Sequence, residues 1–527
     1  MEVPGLAELV YDAEEQLQPA AGQLVSGQLP GWLAGSLYRA GPSKFSLGDG
    51  FTVRHWFDGL AMVCRFAVGA GHVTIQKRFV QSDAYKKAVK HNKLIYTEFG
   101  TRGHPDPSKN FISRMVSSIL PTDMTDNNFN NMYSVNGQLF AACETALIHR
   151  MEPSSLETLE KVDLYKLLGV NLCCSHPVTD TDGTVYTLGV TFIPGFKYQL
   201  NKIPPAPAAT DGREAFGAAK CLLSMSSSWT TAYSYYHSFG LTENYIVLLE
   251  QPLVMVLSKV MSMVVKGNSL KDCMEWHPEY NVKLYVVHKT DGKLVKTKYV
   301  TDVPFFQSHI CNAFEDGDQI ILDMVTSEGP DMLDAMFLDK MSENKLHCSH
   351  PGRITRLAIP VLEDVKKAAE GVNLVTSQAT TATAVRSGDT VTLTLDLFPD
   401  AGVEYPTINP RLRGKPYRHL YVSGLYDQGA FRSGIGKLDM VGRSKRVWRG
   451  EPATFPSEAT FVPRPDGAAE DDGVLLLTLL GTGGRPDHLV LLDAASMEPL
   501  ARVRFDCRIP QMVHGHWVPD EKAEKAQ

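Results

Sequence analysis

Short apolar runs separated by Asp-Gly turns recur from one end of the sequence to the other. Runs such as 245–249, 282–287 and 473–478 have the length and the β-branched residues typical of strands. The joints at 290–292 and 315–318 contain Asp-Gly, which favours tight hairpins between antiparallel strands. Helical patterns are few, with 153–168 and 361–371 the best candidates. The sequence therefore predicts an all-β fold.

Composition excludes several classes of protein. The 527 residues are 43% hydrophobic, enough for a large core, and no low-complexity linker divides them. A net charge of −7 without any basic run argues against a nucleic-acid partner. The nine cysteines are odd in number and form no CxxC, which indicates free thiols in a reducing compartment.

The chain also lacks the usual signals for secretion or membrane insertion. Residues 1–5 show no basic or apolar leader. The longest apolar run, 253–265, contains Lys259 and is shorter than the roughly 18–20 residues that span a bilayer. We expect a cytoplasmic protein that is soluble or bound peripherally to a membrane.

Four histidines lie at the edges of apolar or aromatic segments. They are His176, His237, His309 and His514. Successive members are 61, 72 and 205 residues apart, and the last interval is close to three of the others. Such a period suggests antiparallel sheets repeated about an axis, as in a β-propeller of about seven blades that uses residues 1–527 as one domain. A large sandwich or two β domains would fit these residues equally well.

Four converging imidazoles would suit one metal ion. Neutral imidazole binds Fe, Zn, Cu and Ni, and four of them leave two open positions on an octahedral Fe(II). A ligating imidazole usually donates its other N–H to an acceptor outside the ligand shell, for which Glu144, Glu404 and Glu458 are candidates. Any one of the 16 histidines, taken alone, is more often a core or surface residue than a ligand.

At these residues the sequence resembles the animal branch of the carotenoid cleavage oxygenase family. The resemblance covers nearly the whole chain. It is carried by the motifs at 35–42, 55–59, 97–101, 105–107, 125–127, 157–160, 380–384, 455–458 and 470–473. It implies a seven-bladed β-propeller with a helix and loop cap over an axial non-haem Fe(II).

The resemblance also implies a site and a reaction. By position, the four histidines are the iron ligands and the three glutamates lie behind them. The family's reaction adds both atoms of O₂ across one double bond of a carotenoid or apocarotenoid in an apolar tunnel, giving two carbonyl products. Phe99 and Tyr235 match aromatic positions beside the iron, where a cation–π contact would stabilise developing positive charge by about 0.5–2 kcal/mol. Ordinary core packing is the alternative for both residues.

The resemblance alone leaves open which member of the animal branch this protein is most similar to. The residues 300–302 and 380–384 favour central cleavage of β-carotene to retinal over eccentric, 9′,10′-type cleavage. A retinyl-ester isomerohydrolase is less similar at Tyr236 and at 323–328. A non-catalytic carotenoid-binding propeller is the alternative from another class. The oligomeric state is not indicated.

Two apolar segments, near 110–121 and 251–266, predict peripheral membrane contact around a tunnel mouth. Capping of the propeller is the alternative for both. Ser108 stands where the family often has a cysteine that can be lipidated, so thioester anchoring is excluded there. The predicted membrane residues are Phe111, Ile112, Met115, Val116, Leu253, Val256, Leu257 and Val260.

Overall fold

The computed structural model of the protein describes residues 3–48, 50–108, 124–345, 347–424 and 434–520. Strands dominate this part of the chain, as the apolar runs predict. Seven sheets have four or more strands each, and we number them 1 to 7 in chain order. Almost all pairing is antiparallel, the exception being the parallel pair Lys298–Thr301 with Thr390–Leu393.

Sheets 1 to 4 are built largely from strands that are neighbours in sequence. From one edge to the other, sheet 1 contains Gln16–Ala21, His72–Phe79, Ala61–Gly69, Gly35–Pro42 and Gly515–Pro519. Sheet 2 contains Thr158–Asp163, Leu147–Met151, Gln138–Ala142 and Asn131–Val135. Sheet 3 contains Leu172–Cys173, Val185–Thr191, Lys197–Ile203 and Lys220–Ser226, with Val178–Thr179 also on Val185–Thr191. Sheet 4 contains Gly240–Leu241, Tyr245–Glu250, Lys283–His288, Lys298–Thr301, Thr390–Leu393 and Ala384–Ser387.

Sheets 5 to 7 follow the same meander, and two small sheets lie outside the series. Sheet 5 contains Phe306–Asp316, Gln319–Ser327, Arg353–Pro360 and Asp396–Ala401. Sheet 6 contains Val403–Thr407, His419–Gly424, Gly434–Asp439 and Ser444–Arg449. Sheet 7 contains Gln23–Gly27, Pro499–Arg504, His488–Asp493, Gly473–Gly481 and Thr454–Pro456, with Thr460–Pro463 also on Gly473–Gly481. The small sheets are Ala232–Ser234, Leu253–Val256 and Met274–Trp276, and Ser46–Leu47 with Phe51–Thr52.

The helices of the described residues are short and lie between strands. The α-helices are Asp83–His91, Leu164–Leu168, Gly212–Phe216, Leu257–Lys266, Asp331–Ala335 and Leu338–Ser342. The 3₁₀ turns are Leu6–Leu9, Trp56–Asp58, Lys271–Cys273, Val365–Lys367 and Pro410–Leu412. None of these helices is long and apolar enough to cross a membrane.

Both predicted helical stretches are largely wrong. Within 153–168, Thr158–Asp163 is a strand and only the last turn, Leu164–Leu168, is helical. Pairing with the neighbouring strand Leu147–Met151 determines this structure, because tertiary contacts override a weak local helix preference. The stretch 361–371 contains only the 3₁₀ turn Val365–Lys367.

The Asp-Gly joints form the hairpins that the sequence predicts. The turn at 315–318 joins Phe306–Asp316 to Gln319–Ser327, and Gly317 adopts a φ of 65° there. This left-handed conformation costs glycine little, because it has no Cβ to meet the backbone. All nine cysteines are free, as expected.

The two ends of the chain are interlocked. Gln23–Gly27, near the N-terminus, pairs with Pro499–Arg504 in sheet 7. Gly515–Pro519, near the C-terminus, pairs with Gly35–Pro42 in sheet 1. The first and last sheets are therefore joined through strands from opposite ends of the sequence, and one continuous apolar cluster extends across both.

Loss of the last strand is expected to open this junction. A chain ending at His514 lacks Gly515–Pro519, which lowers the free energy of unfolding by about 3–5 kcal/mol, at roughly 1 kcal/mol for each lost ladder hydrogen bond. The measurement is the urea midpoint by tryptophan fluorescence. A chain ending at Asp520 is the control and should unfold like the full protein; equal midpoints for all three chains would contradict the prediction.

Candidate metal centre

Each of the four predicted histidines comes from a different part of the sheet series. His176 lies between Leu172–Cys173 and Val178–Thr179 in sheet 3. His237 precedes the first strand of sheet 4, and His309 lies inside the first strand of sheet 5. His514 immediately precedes the last strand of sheet 1. The site is therefore complete only when these sheets are assembled.

The four side chains meet at one point. One ligand atom from each of them lies within 4.8 Å of the others. The Nε2 atoms of His237 and His309 are 3.2 Å apart, and those of His309 and His514 are 3.3 Å apart. The ring of His176 lies 4.3 Å from that of His514 and 4.4 Å from that of His237, measured between centroids. The structure thus brings together all four histidines that the sequence selects.

Glu404 orients His309 from behind. The Nδ1–H of His309 donates to Glu404 Oε2 at 2.7 Å, so its Nε2 presents a lone pair to the centre. Ser308 Oγ and the Tyr405 backbone N–H also donate to this carboxylate, at 2.5 and 3.1 Å. Burial opposes ionisation, but attraction to His309 and these hydrogen bonds hold the pKa of Glu404 below its ordinary value.

Glu458 does the same for His514. Its Oε1 accepts from His514 Nδ1 at 2.8 Å, and its Oε2 accepts the Gly515 N–H at 2.9 Å. The buried guanidinium of Arg39 lies 3.6 Å from Oε2 and also donates to the backbone carbonyls of Glu458 and Val513. Arg39 lies in the motif at 35–42, but no signal in the sequence marks it as a partner of Glu458.

Glu144 and Tyr235 are the hydrogen-bonding partners of His237. Glu144 Oε1 accepts a short hydrogen bond from His237 Nδ1. Tyr235 Oη donates to the same oxygen at 3.0 Å, and its ring is stacked near that of His237 with centroids 6.2 Å apart. Burial and the adjacent Glu144 raise the pKa of Tyr235 well above its ordinary value, so the phenol keeps its proton.

His176 differs from the other three histidines because no described carboxylate lies behind it. Its Nδ1 is 3.5 Å from the Asn131 amide nitrogen, too far for a strong hydrogen bond. Its Nε2 is buried without a hydrogen-bond partner among the described residues. Burial, together with the three neighbouring imidazoles, lowers the pKa of His176 well below its ordinary value.

This donor set fits a divalent transition metal. Three rings have their N–H directed outward, so lone pairs face each other across 3.2–3.3 Å at the centre. Such lone pairs repel unless a cation lies between them. Neutral nitrogen donors without an inner carboxylate match the preferences of Fe, Zn, Cu and Ni.

An aromatic cluster borders the centre on the side of Tyr235. The Tyr235 ring is stacked with Phe306 at 6.2 Å, and Phe99 contacts Phe57 at 5.6 Å. Phe99 and Tyr235 pack against the same buried apolar group as Phe57. The structure therefore places both predicted tunnel residues in one cluster, although their contact with a substrate stays a prediction.

The predicted membrane residues divide into three groups. Phe111, Ile112, Met115 and Val116, with the whole segment 110–121, lie outside the described residues. Leu253 is only 2% exposed, so its assignment to a membrane surface is wrong; it packs with Met274, Phe306 and Leu333 instead. Val256 and Val260 are half-buried, and Leu257 is exposed on the helix Leu257–Lys266.

The sequence is similar over nearly its whole length to one protein family and to two of its named members. Residues 11–519 match the family described as "Retinal pigment epithelial membrane protein". The mitochondrial carotenoid-cleaving dioxygenase of Mustela putorius furo is 35% identical, covering 98% of this chain and 97% of its own. The beta,beta-carotene 15,15′-dioxygenase of Rattus norvegicus is also 35% identical, covering 96% and 90%.

The fold is that of solved relatives. A Synechocystis apocarotenoid oxygenase variant superposes with a TM-score of 0.78 over 98% of this chain and 99% of that one, at 23% identity. A cobalt-substituted form of the same oxygenase gives the same values. The chain belongs to the carotenoid oxygenase family of retinal pigment epithelial membrane protein. The family and the enzyme class predicted from the sequence motifs are confirmed.

The outer carboxylates are expected to set metal affinity. Glu404→Gln replaces the acceptor of His309 Nδ1–H with a neutral amide, so Fe(II) or Co(II) should bind about 10–100-fold more weakly. Affinity is measured by competition with a chelator. Glu363→Gln is the matched control, because Glu363 pairs with His288 at 2.8 Å on the exposed surface. Equal affinities in the two variants would contradict a role for Glu404.

Proposed function

We propose that the protein is a non-haem Fe(II) dioxygenase that cleaves a C=C bond of a carotenoid or apocarotenoid to aldehyde products. The observation that carries this proposal is the convergence of four imidazole rings, three of them backed by glutamates. Relatives named as carotenoid dioxygenases over nearly the full chain support the substrate class.

The chain's residues supply geometry and surroundings for this reaction. His176, His237, His309 and His514 would hold the ion, and imidazole ligands would bring no negative charge to offset its 2+ charge. Bound Fe(II) would supply the activation of O₂ that the protein's own side chains lack. The overall change is balanced, because one C=C bond and one O₂ become two C=O groups.

The aromatic cluster would orient the polyene and keep water out. Tyr235 keeps its proton and remains hydrogen-bonded to Glu144, so its ring is fixed beside the metal ligands. Phe99 and Phe306 present apolar surface in the same cluster. Their π faces would stabilise positive charge on the polyene by about 0.5–2 kcal/mol.

Central cleavage of β-carotene to retinal is the favoured reaction. The motif residues at 300–302 and 380–384 support it, whereas the identities to the two kinds of dioxygenase are both 35% and do not separate them. Eccentric cleavage is the second candidate. Tyr236 and the residues 323–328 argue against the isomerohydrolase, and the histidine cluster argues against a non-catalytic carotenoid binder.

The architecture that we propose is a single seven-bladed propeller with a helix and loop cap. Seven sheets of four or more strands and the interlocked chain ends support it. The cytoplasmic location stays a prediction, and one relative is named mitochondrial. Membrane contact through the helix Leu257–Lys266 is part of the proposal, because Leu257 and Met261 are 38% and 54% exposed.

Isotope labelling tests the reaction. Iron-replete protein with β-carotene under ¹⁸O₂ should give retinal as the single product, with ¹⁸O at the aldehyde when exchange with water is suppressed. Chromatography and mass spectrometry identify the products. An apocarotenal paired with a shorter ketone would assign eccentric cleavage instead.

The inactive control is His309→Ala, which removes one ligand. It should lose turnover by at least about 100-fold while the fold is kept, because the remaining three imidazoles hold the ion in another geometry. Iron-loaded wild-type protein that cleaves no carotenoid or apocarotenoid would refute the dioxygenase. Cis-retinol released from all-trans retinyl ester would establish the isomerohydrolase.

A charge substitution tests membrane contact. Met261→Glu places a carboxylate on the exposed face of the helix, so sedimentation with phosphatidylcholine vesicles should fall several-fold. Val441→Glu is the matched control, because Val441 is 69% exposed in the turn between the strands Gly434–Asp439 and Ser444–Arg449 of sheet 6. Equal sedimentation of the two variants would contradict the proposed membrane face.

A further inference from the structure

The strand that contains His309 is irregular on both sides of the ligand. Gln307 pairs with Thr326 and His309 pairs with Val325, so Ser308 is an extra residue in the ladder. Cys311 is extra in the same way, between Ile310 and Asn312. A bulge turns the side chains that follow it, and here it directs His309 and Ser308 toward Glu404. The backbone of these two bulges therefore needs hydrogen-bond partners other than the regular strand ladder.

Gln251 provides one of the contacts that hold it. This side chain is 1% exposed. Its Oε1 accepts the Gln307 N–H at 2.8 Å, and its Nε2 donates to the Gln307 carbonyl at 3.2 Å. The same Nε2 donates to the carbonyl of Tyr235 at 3.0 Å. One buried amide therefore binds the backbone two residues before His309 and the backbone two residues before His237.

Gln307 and Ser238 repeat this link on the other side of the ligands. Gln307 Nε2 donates to Ser238 Oγ at 3.0 Å, and Ser238 directly follows His237. The same hydroxyl oxygen accepts the N–H of Ile310 at 2.8 Å, and Ile310 directly follows His309. We call Gln251, Gln307 and Ser238 the amide brace.

We propose that the amide brace positions the metal ligands by fixing the separation of the His237 and His309 backbones. The brace reaches the aromatic cluster only through the backbone carbonyl of Tyr235, and its hydrogen bonds go to backbone groups or between its own members, not to a metal-ligating side chain. Its members are therefore positioning residues. The inference rests on the proposed metal site and names residues that govern its geometry. The Nε2 atoms of the two histidines are 3.2 Å apart, and this spacing depends on how two separate segments are held.

Burial makes the brace stiff. Gln251 and Gln307 are each 1% exposed and Ser238 is 9% exposed, so water does not compete for their hydrogen bonds. Ser234 Oγ also donates to the Gln251 carbonyl at 2.7 Å, which fixes the backbone from which this amide projects. Glu250, the preceding residue, accepts from Tyr198 and Tyr285 and anchors the same strand end.

The test compares two buried glutamines. Gln251→Met keeps the side-chain length and removes all three hydrogen bonds of the brace amide. Gln319→Met is the matched control, because Gln319 is also 1% exposed and its amide makes three hydrogen bonds, to Leu374, Thr376 and Ser377. Each variant is titrated with Co(II), and the urea midpoint, the Co(II) dissociation constant and the d–d absorption spectrum are recorded.

Both variants should lose stability to a similar extent, but only Gln251→Met should change the metal site. We expect its Co(II) dissociation constant to rise about tenfold and its d–d bands to shift. Ser238→Ala is a milder variant that is used if Gln251→Met does not fold. We expect it to show the same shift of the d–d bands and a smaller loss of Co(II) affinity.

Three results would overturn the inference. The first is a Gln251→Met variant whose Co(II) spectrum and Co(II) affinity equal those of the wild type. If Gln251→Met does not fold, the same result in Ser238→Ala would overturn the inference. Another is an equal change in Gln319→Met, which would reduce the effect to general stability. Wild-type protein that binds no Co(II) would refute the proposed metal site and the brace together, so the wild-type titration separates the two failures.

Discussion

The proposed metal centre depends on holding four imidazole rings together, with one possible ligand atom of each within 4.8 Å of the others. His176 Nε2 is buried without a hydrogen-bond partner among the described residues, as a nitrogen reserved for a metal would be. The other rings are oriented by Glu144, Glu404 and Glu458, whose carboxylates accept the outward N–H. Because the four rings come from different sheets, the surrounding sheets must be rigid enough to keep the rings together.

The strands and hairpins can be predicted from the sequence because Asp-Gly turns and apolar runs are local signals, read within a few residues. The ligand set has no comparable local signal, and the resemblance to the family assigns the histidines and glutamates by position. The brace and Ser308 have no such signal. Their roles follow from the bulges beside His309, and a bulge is defined only by the partner strand, which the sequence does not reveal.

The incorrect predictions have a related origin. Leu253 belongs to an apolar run whose surroundings the sequence does not specify, and the run enters the core before its helix emerges at Leu257. The strand Thr158–Asp163 carries a helix-compatible composition that sheet pairing overrides. In both cases the missing information is which neighbour covers the segment, and that is a tertiary property.

His514 connects the metal centre to the closure of the chain. Its N–H donates to the Asn130 carbonyl and its carbonyl accepts the Ala40 N–H, so the ligand is part of the junction between the first sheet and the C-terminus. Opening of the terminal strand is therefore expected to displace His514 from the proposed metal site. A metal that binds only the closed form stabilises it by about 2.7 kcal/mol at a concentration 100 times its dissociation constant. A metal bound at the proposed site would therefore act on the fold through His514, and the fold would act on the metal through the same residue.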